Sequence, residues 1–572
     1  MSHKEVIPRS HQRRIVAGVV LWILFLGCAS EAPPPGGPKD VDPPEVIQTI
    51  PPPGAVNVSP STGIQVEFDE YLTRGSVEPA IFISPYTEDG YRVSTGRRTV
   101  TIEFSGRLGD STTYIVTFGT GISDLRGNTL ASSYQLAFST GPSIDQGTMA
   151  GRVYAGEEFS GDKITLLAYR LDSVVVDSVI QRRPDYIANP DARGNFRLTN
   201  LETGPYFFMA LIDQNRNFLY DPGEAIGLPW KKRWMVRDTV QEVTPHMRMF
   251  RYPADSLIMV AVEQQNRHLL RVEFNRSPVQ EVTRDHFRFI EDDGDSIRPA
   301  AVSGTDNAKE YLVEHYQTVP DSQYIFVAGD LTDRFGLPFG ENRDRRDLTI
   351  SGRPDTLPFA APGITPQDSM TDVRLEEQLR ISFDRAVRPI RADKALSLDS
   401  AAADTVHRYW ADPRTLVTAP DSLWLRDRWI AWQLADSLVK DYRDSTFSDS
   451  ISSGTFRTET GGDYGSITGS VRAPASWAPE LVRVRAESEA LQKGTYRETR
   501  ADSGFTFAFP RLLPGQYRLE AYYDEDRSKT YTHGRPLPFV PAEKFVIFQD
   551  SIEVRSRWEQ SGVTLQFPGI TE

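Results

Sequence analysis

The sequence predicts an all-β protein built from tandem β-sandwiches. Three observations carry this. Apolar and polar residues alternate in short runs, as where Ile64, Val66 and Phe68 interleave with Gln65 and Glu67; such alternation puts one face of a strand in a core and the other in water. Glycine and proline are frequent, 41 and 40 of 572 residues, which suits many short strands joined by turns. The strand patterns also recur along the chain as two kinds of module. A chain of this length exceeds what one core supports, so several domains are expected.

The elements follow in order. Lys4, Arg9, Arg13 and Arg14 precede an uncharged run from Ile15 to Leu26, which Gly27-Cys28 closes. A charged stretch, a short apolar stretch and a small residue read as a signal peptide over residues 1–27. The run falls short of the roughly 20 residues a membrane-spanning helix needs. Residues 28–44, with Pro33-Pro34-Pro35, Gly36-Gly37, Pro38 and Pro43-Pro44, read as a tether of polyproline II broken by a hinge. No second apolar run of membrane-spanning length follows.

One module type, A, is expected at 45–142, 255–353 and 357–460. Its core strand reads Val66-Glu-Phe68-Asp-Glu70, then Val272-Glu-Phe274-Asn-Arg276, then Ile381-Ser-Phe383-Asp-Arg385. A later strand, Tyr114–Phe118, leads to Asp124-Leu-Arg-Gly127, and its counterpart Tyr324–Val327 leads to Asp333-Arg-Phe-Gly336. Asp-x-x-Gly suits a tight turn, because glycine reaches positive φ without strain. The third copy is blurred around Trp432 and Leu434. A second type, B, is expected at 147–252 and 464–570. There Gly147-x-x-x-Gly151-x-Val153 matches Gly465-x-x-x-Gly469-x-Val471, and Ala210-Leu-Ile-Asp213 matches Ala521-Tyr-Tyr-Asp524. Together the modules are expected to project as a string of sandwiches.

The tether Gly36-Gly37-Pro38-Lys39-Asp40 and the strand end Phe68-Asp69-Glu70-Tyr71 resemble Bacteroidetes-type lipoproteins that carry bacterial Ig-like domains of the S-layer-protein type. The B modules resemble transthyretin-like or carboxypeptidase-regulatory-like sandwiches. Gly27-Cys28 is similar to a lipobox, which implies that Cys28, the sole cysteine, bears lipid. The resemblance implies a protein lipid-anchored at the bacterial outer membrane or cell envelope, on either face, with a structural or adhesive and binding role. The alternative is an accessory carbohydrate-binding lipoprotein of a glycan-uptake system. The expected partners are the membrane, through the N-terminal lipid, and a protein or glycan ligand.

The formal net charge of −14 lacks the basic footprint of nucleic-acid binding, so no such partner is expected. The chain contains no Gly-x-Ser-x-Gly elbow, no His-Glu-x-x-His and no phosphate loop, so no enzymatic activity is expected. One motif suggests chemistry. Asp213, Asn215, Asn217, Leu219, Asp221 and Glu224 stand at the ligand positions of an EF-hand-type calcium loop, Leu219 through its carbonyl, which makes Ca2+ the expected cofactor. Phe218 occupies the place of the usual glycine. The same residues also read as a polar hairpin loop. The equivalent loop, Asp524 to Arg535, reads as metal-free, because Arg535 falls where the last acid should stand. Trp424, Trp429 and Trp432 cluster closely enough to form a sugar-stacking platform, or a core.

Overall fold

The computed structural model describes residues 41–568, apart from 88, 172–174, 240–243, 356–357, 400–404, 448–451 and 489–495. Among the described residues the α-helices are single turns: Arg74–Val77, Val176–Val179 and Ala392–Ala395. Among the described residues no helix is long and apolar enough to cross a membrane. The chain divides at Ile144/Asp145 into two compact units.

In the first unit, one antiparallel sheet runs Val46–Ile50, Ile64–Phe68, Thr99–Phe104, Tyr91–Thr95, and a second runs Ile81–Ser84, Thr113–Phe118, Tyr134–Ser139. The alternation read from the sequence is realised directly: Ile64, Val66 and Phe68 are buried while Gln65 and Glu67 are exposed. Their inward side chains join those of Val116, Phe118 and Phe138 in one core.

The second unit repeats this plan twice. Leu269–Phe274 and Leu379–Ser382 take the same second place in their four-stranded sheets that Ile64–Phe68 takes in its own. The turn after the later strand recurs in all three copies. Asp124 Oδ1 accepts the N–H groups of Arg126 and Asn128, and Asp333 Oδ1 those of Phe335 and Leu337. In the third copy Asp441 Oδ1 accepts those of Arg443 and Ser445. Gly127 and Gly336 take φ of 91° and 74°, and Asp444 fills the same place at 65°. Aspartate tolerates that region better than most residues, so the turn survives without the glycine that would mark it in the sequence.

The B modules share a second local rule. A Cβ on Gly151 would lie 2.4 Å from Phe196 Cζ, and one on Gly469 would lie 2.7 Å from Phe507 Cζ. The phenylalanine of the neighbouring strand therefore lies flat across each glycine, which no larger residue would permit. In the first B module a single sheet runs Tyr186–Ala188, Thr165–Arg170, Gly204–Ile212, Ala225–Leu228, His246–Arg251, Gly147–Tyr154, Asn195–Leu201. The second splits this into two sheets, Thr506–Leu512, Gly465–Arg472, Glu559–Gln566 and Tyr496–Arg500, Val482–Ser488, Gly515–Tyr523, Phe545–Ile547.

Within the second unit the modules do not run as a string; their contacts form a closed circuit. The first B module meets the second A module through Phe250 and Tyr252 on Phe335. The second A module meets the third through buried Glu314, which pairs with Arg414 and accepts the Ala386 N–H at 2.6 Å. The third A module meets the second B module where Glu376 receives Arg497 at 3.3 Å and Arg511 at 3.5 Å. The circuit closes where Arg248 pairs with Glu520 at 2.6 Å and Tyr154 meets Phe545 edge-on at 5.2 Å.

Candidate functional site

The strand Gly204–Ile212 ends at Asp213, where the polar loop begins. Each oxygen of Asp213 accepts from the backbone ahead, Oδ1 from Asn217 N–H (3.2 Å) and Oδ2 from Phe218 N–H (2.7 Å). Asn215 Oδ1 accepts from Asn217 N–H and Asn217 Oδ1 from Leu219 N–H, so both side chains fold inward. Their amide groups converge on Asp221 Oδ2, at 2.7 and 2.9 Å. Buried Glu224 closes the loop, with Oε1 accepting Gln214 N–H and Oε2 accepting Asp221 N–H. Phe218, at the glycine position, adopts φ 59° regardless; the left-handed region costs a non-glycine residue about 1–2 kcal/mol, which the hydrogen-bonded loop outweighs.

Five of the six expected ligand residues are thus tied into one hydrogen-bonded loop by their side chains, with Leu219 held by its N–H. The loop offers a cation three carboxylates and two amide oxygens, a hard-oxygen set that suits calcium. The amide hydrogens of Asn215 and Asn217 here supply the positive charge facing Asp221.

The second B module builds the same loop. Arg527 and Lys529 take φ of 58° and 63°, as Arg216 and Phe218 take 60° and 59°. Lys529 N–H donates to Asp524 as Phe218 N–H does to Asp213. The closing acid is Glu543, whose Oε1 accepts Glu525 N–H and Oε2 accepts Thr532 N–H, both at 2.9 Å. Spacing along the chain pointed instead to Arg535. That residue turns away, its Nε donating to Pro538 O at 3.1 Å. An insertion between Thr532 and Glu543 separates the last acid from the rest, so counting positions could not find it. Asp524, Asp526 and Glu543 bring carboxylate oxygens within 4.8 Å of one another, which Asp213, Asp221 and Glu224 do not. Burial, with the nearby charges of Asp526 and Asp524, pushes the Glu543 carboxyl up to about 7.

The insertion forms a strap across the first B module. Phe539 is buried there, edge-on to Phe207 at 5.0 Å, and its N–H donates to Asp177 Oδ1 at 2.5 Å. Leu537 packs on the same core.

The remaining candidates are dispersed. Cys28, the signal peptide and most of the tether lie outside the described residues. The tryptophan platform is not formed: Trp424 and Trp432 are buried at 2% exposure, leaving Trp429 alone outside. Both indoles fill the core of the third A module; on Trp429–Leu434 the outward places belong to Trp429, Ala431 and Gln433, which turns Trp432 inward.

Residues 40–140 match the bacterial Ig-like domain family. The chain is thus an all-β protein of tandem sandwiches, the first of them Ig-like. Similar solved structures include an L,D-transpeptidase from Mycobacterium smegmatis, at 8% identity over 37% of this chain and 90% of that one, with a TM-score of 0.16. The S-layer protein rSbsC(31-844) covers 90% of this chain and 67% of its own at 10% identity, with a TM-score of 0.15. BcpA, the major pilin subunit of Bacillus cereus, covers 74% and 99% at 10% identity, with a TM-score of 0.14. TM-scores this low express no shared overall arrangement. No curated protein matches the chain in sequence.

Proposed function

We propose that this is a cell-envelope protein with a structural or adhesive role, held to its membrane by lipid on Cys28 and related to the Bacteroidetes-type lipoproteins. The observation that carries the structural part is the closed circuit of sandwiches in residues 145–568, sealed by buried ion pairs such as Glu314–Arg414. The anchoring part rests on Gly27-Cys28 at the end of the apolar run, followed by the proline-rich tether. A single acyl chain holds a protein only marginally, so stable anchoring requires more than one at this cysteine. Mass spectrometry of the membrane fraction should find an acylated peptide that begins at Cys28. The Cys28→Ser chain should move to the soluble fraction; retention in the envelope would remove the anchor.

Calcium at the loop of Asp213, Asn215, Asn217, Leu219, Asp221 and Glu224 belongs to the same reading. Bound there, the ion would brace the loop beside the core of the first B module. The full chain is the right sample, because Phe539 completes that core from elsewhere in the chain. Millimolar calcium should raise the melting temperature, and Asp213→Asn with Glu224→Gln should abolish the rise; an equal rise in the variant would move the ion elsewhere.

A further inference from the structure

Where the two B modules meet, the fold gathers positive charge that it does not neutralise. In the first, Trp230 and Trp234 meet edge-on at 5.3 Å and 79°. Lys231 Nζ lies 4.1 Å from the Trp230 ring and 5.1 Å from that of Trp234. In the second, Trp477 and Tyr523 stack at 4.2 Å and 25°. Lys544 Nζ lies 4.9 Å from Trp477, 5.6 Å from Tyr523 and 5.3 Å from the same Trp230. The backbone locks the two lysine-bearing segments side by side, Ala542 N–H donating to Pro229 O at 3.2 Å.

Two ammonium groups therefore share one indole. Among the described residues no carboxylate lies within ion-pairing distance of either, although the chain holds 78 acidic residues against 64 basic ones. Lys231 and Lys544 are both half-buried, open to solvent on one side. Burial and the neighbouring Lys544 charge hold the Lys231 ammonium below the usual lysine range. Contact with aromatic faces satisfies one side of each cation. It leaves the N–H donors on the other side without a protein acceptor among the described residues, and it does not relieve the repulsion between the two charges. An anion between the lysines would do both. The surrounding rings select what carries the anion, since a flat indole suits the C–H face of a sugar ring.

We propose that this lysine–aromatic cluster binds an acidic sugar, its carboxylate between Lys231 and Lys544 and its pyranose ring against the neighbouring aromatic side chains. The test is calorimetric titration of the full chain with tri-galacturonate, with its methyl ester and with inorganic phosphate. Tri-galacturonate should bind and the neutral ester should bind at least about 10-fold more weakly. Lys231→Gln with Lys544→Gln should weaken tri-galacturonate about 10-fold or more without moving the melting temperature, and the Lys→Arg pair should retain binding. If the double glutamine variant loses its fold, each single variant should still show a partial loss. No binding of tri-galacturonate by the intact chain, or equal binding by the folded glutamine variants, would overturn the proposal. Phosphate binding as tightly as the sugar acid would also overturn it, because the cluster would then be a bare anion site.

Discussion

Phe539→Ala tests whether one module completes the core of another. Phe539 belongs by sequence to the second B module, yet its ring is 5% exposed within the core of the first, among Phe207, Met209 and Leu211. Truncating a buried phenylalanine costs about 3–5 kcal/mol, as lost transfer energy plus a cavity. The backbone N–H that bonds Asp177 survives in alanine, so the whole loss is packing. The loss falls on strands far away in sequence, Gly204–Ile212 and Ala225–Leu228. Hydrogen exchange of the full chain reads this directly. At about 1.4 kcal/mol per tenfold, amides in those two strands should exchange about 100- to 4,000-fold faster. Amides of Leu269–Phe274, in the second A module, should change far less. If faster exchange is confined to residues 531–545, the strap merely lies on a core that is complete without it, and the reasoning fails.

Two further outcomes are expected. Glu314→Ala should destabilise the second unit by about 3–5 kcal/mol, since it leaves Arg414 buried without its partner and the Ala386 N–H without an acceptor; Glu314→Gln should cost less. Denaturant melts of both variants check this, and a loss below about 1 kcal/mol would mean that water already reaches the pair. Stability should also depend on pH from two sides. Burial lowers His246 and His315 to about 4 and His533 to about 3, so these histidines stay neutral in the folded protein while the unfolded chain takes up protons below about 6.5. Stability is therefore lost as pH falls from there toward 4. Glu543, raised to about 7 from its ordinary 4.5, keeps its proton on folding, so its contribution is full at low pH and is lost as pH rises through 7. Thermal melts from pH 4 to 8 should show both losses, and Glu543→Gln should remove only the alkaline one.

Much of the fold was legible because strands announce themselves by alternation: Ile64–Phe68 buries the residues its pattern assigns inward. The repeats were legible where a turn keeps its glycine. They blurred in the third A module because Asp444 takes the left-handed place of Gly127 and Gly336. The polar loop of the first B module was visible as an evenly spaced run of oxygens. Its twin was placed at Asp524 but its closing acid was not, because the strap separates Glu543 from Asp524 and Asp526, and linear spacing carries no information across an insertion. Trp424 and Trp432 could be read as platform or as core, because close spacing of tryptophans does not reveal on which face of a strand each falls. The circuit of modules had no signature at all. Glu314, Arg414, Arg248 and Glu520 are ordinary charged residues in the sequence, and only the fold desolvates them.

Because the second unit closes on itself, the strand that opens it, Gly147–Tyr154, and the strand that ends it, Glu559–Gln566, belong to modules in direct contact. A pull applied between them would not travel through the two intervening A modules. It would load the seam where Arg248 meets Glu520 and the strap grips Phe207, and would leave the A modules slack until that seam tore. The first event under tension would be a release of stored contour length, with every sandwich still folded.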